Sequence, residues 1–110
     1  MSKARDEAAD PAAIFAALGD GTRLSLLEKL SDGEALSIAK LSAGTRLTRQ
    51  AVTKHLHVLE GAGLVTSARI GRESLYSFAP APLGAARTYL ESVSAQWDDA
   101  LGRLKDFVER

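Results

Sequence analysis

Apolar residues recur at helical spacing through most of this chain and switch to alternation over one short stretch. Ile14, Phe15 and Leu18 form a first stripe, which begins after Pro11, a residue suited to a helix first turn, and ends at Gly19. A second helix starts near Asp20 or Thr22, either of which can cap exposed amides. Its stripe of Leu24, Leu27 and Leu30, with Leu26 beside it, stops at Ser31-Asp32-Gly33. Ser37 opens a short third helix with Ile38 and Leu41 inward, and Gly44 breaks it. Thr48 caps a fourth helix, in which Val52, Leu56 and Leu59 share a narrow arc with His55 at its margin. Gly61-Ala62-Gly63 ends that helix. From Thr66 to Phe78 the period becomes two, with Ser74, Tyr76 and Phe78 on one face and Leu75 and Ser77 on the other. Gly71-Arg72 supplies the tight turn of a β-hairpin.

Pro80 and Pro82 introduce a last helix, expected over about residues 83–109. Leu90, Val93, Trp97, Leu101, Leu104 and Val108 recur along it at gaps of three and four. At about 1.5 Å per residue this helix is roughly 40 Å long, more than so small a core can cover. An apolar stripe without an intramolecular partner calls for a second chain. The expected homodimer interface joins the first and last helices through Ile14, Phe15, Leu90, Val93, Trp97, Leu101 and Leu104. The fold expected is mainly α with a β-hairpin wing, a winged helix-turn-helix of five helices. Residues 1–10, which lack periodicity, are expected to be a flexible tail, and residues 11–110 one domain.

The outer face of the fourth helix has no part in the core. It carries Gln50, Thr53, Lys54 and His57, with Thr48 and Arg49 at its N-terminal end, and no carboxylate before Glu60. Amide, hydroxyl and cationic groups are those that hydrogen-bond base edges and phosphates, whereas a carboxylate would be repelled by the DNA backbone. A short helix, a glycine turn and a longer helix with a polar outer face make the helix-turn-helix layout. The hairpin that follows is tipped by Arg69, Arg72 and Glu73. The two arginines suit flanking phosphates, and Glu73 is expected to orient one of them.

Composition at first argues against a polyanion partner, because 14 basic and 14 acidic residues cancel. Their distribution reverses that impression. Residues 40–77 hold six basic and two acidic residues, so a cationic middle lies between anionic ends. With no cysteine there is no disulfide, thiol sensor or thiolate metal site. Both histidines, His55 and His57, lie in the fourth helix about 200° apart, which prevents chelation of one ion. No nucleophile with base, phosphate loop or convergent carboxylate pair occurs, and Asp98 and Asp99 face different directions. The chain is expected to be neither an enzyme nor a cofactor or metal protein, and, with no apolar run long enough to span a membrane, to be cytoplasmic.

The strings IFAALGDGTRLSLLEKL, LTRQAVTKHLHVLEGAGLV and GRESLYSF resemble the ArsR/SmtB family of winged helix-turn-helix regulators from about Ile14 to Phe78. That resemblance implies a bacterial homodimeric repressor that binds inverted-repeat operators on double-stranded DNA and is released by a ligand. It also implies that Gln50, Thr53 and Lys54 face the major groove, and Arg23 is expected to form a structural salt bridge. The family's metal sensors carry a cysteine pair in a Leu-Cys-Val-Cys-Asp-Leu string. Here the matching run is Leu36-Ser37-Ile38-Ala39-Lys40-Leu41, so sensing at that site is not expected. Any effector is then an unidentified small molecule, with a pocket between the last helix and the wing. A winged helix that docks proteins instead of DNA is the rival reading.

Overall fold

The computed structural model describes residues 10–110; the expected tail, residues 1–10, lies outside them apart from Asp10. Each of the first four helices begins at a side chain that accepts from its own first-turn amides. Asp10 accepts from Ala12 N (3.0 Å) at the start of α1 (Pro11–Leu18), with Pro11 in the first turn. Asp20 accepts from Thr22 N (2.9 Å) and Arg23 N (3.1 Å) at the start of α2 (Gly21–Leu30). Ser37 accepts from Lys40 N (3.2 Å) before α3 (Ile38–Ser42), and Thr48 from Ala51 N (3.0 Å) before α4 (Arg49–Gly61).

α4 ends in a backbone lock. Leu64 N donates to Leu59 O (2.9 Å) and Gly63 N to Glu60 O (2.9 Å), the paired bonds of a Schellman motif. The residue between helix and strand must then take a left-handed conformation, and Gly63 does so with φ +78°. Leu59 and Leu64, which this turn brings together, are both fully buried.

Three antiparallel strands follow the order β1-β3-β2, where β1 is Leu36–Ser37, β2 Val65–Ile70 and β3 Glu73–Phe78. The hairpin register runs from Val65 opposite Phe78 to Ile70 opposite Glu73, leaving a two-residue turn at Gly71-Arg72. Gly71 has φ +63°, as the first central position of a II′ turn requires. The third strand departs from the expected two-stranded wing. Leu36 pairs with Tyr76 and Ser37 with Leu75, which ties the start of α3 to the wing. Two residues are too few for alternation to register in a sequence.

α5 (Ala81–Glu109) begins slightly earlier than expected and runs for 29 residues. The core is formed by Ile14, Leu26, Leu30, Leu41, Val52, Leu56, Leu59 and Leu64, closed by Val65 and Tyr76 of the sheet. α5 contributes Ala86 to it, with Leu83 packed alongside. Leu24 lies outside, 45% exposed, because the inward face of α2 is centred on Leu26, Leu27 and Leu30 and Leu24 projects to its side.

Candidate nucleic-acid interface

Burying Val52, Leu56 and Leu59 turns the other side of α4 outward. Thr48, Arg49, Gln50, Lys54 and His57 are exposed and Thr53 is half-buried. Five of these six, Arg49, Gln50, Thr53, Lys54 and His57, line a single cleft of about 690 Å³. Its far wall is the wing, through Arg72, Glu73 and Ser74, and its floor is the start of α3. Thr48 and Arg69 lie outside the cleft lining. Thr48 is committed to capping α4, and Arg69 folds over the hairpin turn, its Nε donating to Gly71 O (3.4 Å).

Hydrogen bonding within α4 sets what each side chain has left to offer. Thr53 Oγ1 donates to Arg49 O (2.8 Å), so its hydroxyl proton is occupied and the cleft receives the oxygen lone pairs and the methyl group. Glu60, the acidic residue of the helix, is drawn off to β2, where its Oε2 accepts from Ser67 Oγ (2.9 Å). It also helps burial to push the Tyr76 phenol above its ordinary value, burial being the larger cause. Glu73 is the one carboxylate in the cleft lining. The expectation that it orients a wing arginine does not hold: among the described residues it forms no ion pair with Arg69 or Arg72.

Residues of α3 and β1 were not foreseen here. Ser37, Ile38 and Ala39 enter the cleft because the first helix of a helix-turn-helix crosses beside the groove, a relation set by the tertiary fold. Two of them hold the positions of the missing cysteines, and Ser37 spends its hydroxyl on capping α3.

Among the described residues Arg23 forms no salt bridge of the kind expected and has a different structural role. Its Nε donates to Ala17 O (2.6 Å) and Nη2 to Ala16 O (3.2 Å), and Nη1 meets His55 Nδ1 at 3.2 Å. Near the end of α1, where carbonyls run short of helical partners, Ala16 O accepts from the C-cap Gly19 N (3.3 Å), and the planar guanidinium reaches it and Ala17 O. His55 is half-buried at the edge of the core, as its place on the helix predicts.

Of the expected interface residues, Ile14 is fully buried within its own subunit and has no surface to offer another chain. It faces inward because α1 is covered on that side by the core, while its neighbour Phe15 turns to α5 and packs against Tyr89 at 6.0 Å between ring centroids. Phe15 is half-buried and Val93 partly so, whereas Leu90, Trp97, Leu101 and Leu104 are between 53% and 64% exposed. A groove of about 460 Å³ lined by Phe15, Leu18, Leu83, Ala86 and Leu90 continues this apolar face. Neither this groove nor the α4 cleft lies between the last helix and the wing, where an effector pocket was expected.

Residues 18–68 match the helix-turn-helix domain family. The chain is 46% identical over 77 residues to YuzN, an uncharacterised HTH-type transcriptional regulator of Bacillus subtilis, covering 64% of this chain and 84% of that relative. It is 37% identical over 99 residues to the HTH-type transcriptional regulator Rv2034 of Mycobacterium tuberculosis, covering 90% and 89%. An ArsR-like transcriptional regulator from Rhodococcus sp. RHA1 superposes with a TM-score of 0.76 at 38% identity, covering 88% and 91%. The chain belongs to the ArsR/SmtB family of winged helix-turn-helix transcriptional regulators. Membership accounts for the coincidence of an exposed polar helix face with a wing beside it. No helix among the described residues of this family member is long and apolar enough to cross a membrane.

Proposed function

We propose that this regulator is a homodimeric repressor that binds an inverted-repeat operator. The observation that carries the reading is the convergence of Arg49, Gln50, Thr53, Lys54, His57 and Arg72 on one open cleft from two separate elements. α4 enters the major groove, and the wing arginines lie over the flanking backbone. Gln50 suits bidentate pairing with adenine, and Thr53, left with lone pairs and a methyl, accepts from an exocyclic amine or packs on a thymine methyl. Arg69 and Arg72 carry charge on a hairpin tip and neutralise phosphates without reading sequence. Two copies pair through Phe15 of α1 and the exposed stripe of α5, which sets two α4 helices against successive major grooves about 34–36 Å apart. Repression follows when such a site overlaps a promoter.

Mobility shifts with operator and random duplexes test the division of labour. Gln50→Ala is expected to lower operator affinity while leaving random DNA unchanged. Arg72→Ala is expected to weaken both alike and reduce the salt slope by about one phosphate's worth. Equal effects of both variants on both duplexes would reject the assignment.

A further inference from the structure

Three helices meet at one guanidinium. Arg23, in the first turn of α2, holds Ala16 O and Ala17 O in the last turn of α1 and the imidazole of His55 in the middle of α4. Arginine has only donors, so in this 3.2 Å hydrogen bond the guanidinium donates and His55 Nδ1 accepts. The Asp20 carboxylate is held beside this cluster by the Thr22 and Arg23 amides. Val52, Leu56 and Leu59 hold α4 to the core by apolar burial, which is non-directional, whereas a hydrogen bond to a charged group is directional. On the other side, Phe15 precedes Ala16 directly and packs against Tyr89 of α5.

We infer that the Arg23–His55 bridge is a positioning device: it fixes the angle between α4 and the helix α1 of the dimer seam, and thereby the half-site spacing that the protein accepts. The inference rests on the dimeric operator-binding reading above. Neither residue touches DNA in that reading, as Arg23 and His55 lie outside the cleft. One base pair of added spacing moves a half-site by about 3.4 Å and turns it by about 35°, so a rigid pair of reading helices discriminates sharply between spacings. A pair with one strut removed tolerates them.

The test uses full-length protein and an operator enriched from a random duplex library, remade with the centre lengthened or shortened by one and two base pairs. His55→Leu removes the acceptor at similar bulk. His55→Asn restores it, because the asparagine Oδ1 sits as many bonds from the backbone as the histidine Nδ1. Arg23→Lys keeps the charge and loses the planar fork. His55→Leu and Arg23→Lys are expected to lose about tenfold on the enriched spacing, the weight of one hydrogen bond to a charged group, with little loss on altered spacings. His55→Asn is expected to recover the wild-type profile. Thermal melts accompany each variant, and if His55→Leu does not fold, Arg23→Lys with His55→Asn decides. Spacing profiles that stay parallel to wild type in the folded variants would overturn the inference and leave the DNA reading standing. A wild-type protein that enriches no duplex would overturn the DNA reading itself, and the inference with it.

Discussion

Gly63→Ala is the substitution whose cost the structure resolves into parts. Gly63 has φ +78°, and a Cβ built there comes within 3.3 Å of Pro82 Cγ, in the first turn of α5. The left-handed conformation alone costs an L residue roughly 1–2 kcal/mol. Crowding against a rigid ring adds on the order of 1 kcal/mol, because relief requires α5 to shift from the sheet end. Gly71→Ala meets the same conformational penalty at φ +63° but has nothing within 4 Å of the new methyl. Gly61→Ala has neither problem: it lies in the last turn of α4, meets nothing within 4 Å, and is expected to stabilise by about 0.4–1 kcal/mol through the unfolded chain. Urea unfolding at one fixed protein concentration compares the three. The expected order is Gly61→Ala above wild type, Gly71→Ala below it, and Gly63→Ala lowest, about 1 kcal/mol beneath Gly71→Ala. Equal losses at Gly63 and Gly71 would refute the contact with Pro82. A loss at Gly61 would refute the account of where α4 ends.

Two further outcomes follow from the caps and the last helix. The Asp20 carboxyl lies below its usual value of 3.8, chiefly through the Arg23 backbone N–H, so the ionised cap stabilises the fold above the unfolded value and that contribution is lost as pH falls below 3.8; Asp20→Asn is expected to flatten the acid limb of stability, and an unchanged limb would count against the cap. Leu101→Glu places a charge twice in the proposed two-fold seam and removes two leucines, exposed in the single subunit, that pairing would bury, about 3 kcal/mol or more; sedimentation at micromolar concentration is expected to show dimer for wild type and monomer for the variant, and a wild-type monomer would refute the seam.

How much of this was legible in the sequence depended on whether a signal was local. The capping residues Asp20, Ser37 and Thr48, the glycine stop after α4 and the turn at Gly71-Arg72 all act over a few neighbours, and each is where the sequence pattern put it. The outward face of α4 was readable because its inward face was. Errors arose where two elements compete for one residue. Ile14 and Phe15 share a stripe, yet one is taken by the core and the other by α5, a choice that depends on the crossing of helices. A carboxylate is the default partner for an arginine, whereas the carbonyls of α1 and a histidine 32 positions away come within reach of Arg23 only in the fold. β1 was invisible for the same reason: its two residues are a strand only because β3 lies beside them.

Among the described residues α5 buries only Ala86, close to its start, and from Trp97 onward its large apolar side chains are exposed. In the proposed dimer, substitutions from Trp97 onward act on the pairing copy. With pairing through this stripe, divergence in this segment would keep several such regulators from mixing without disturbing the reading head. Exchange of residues 97–108 between paralogues would carry pairing identity with it.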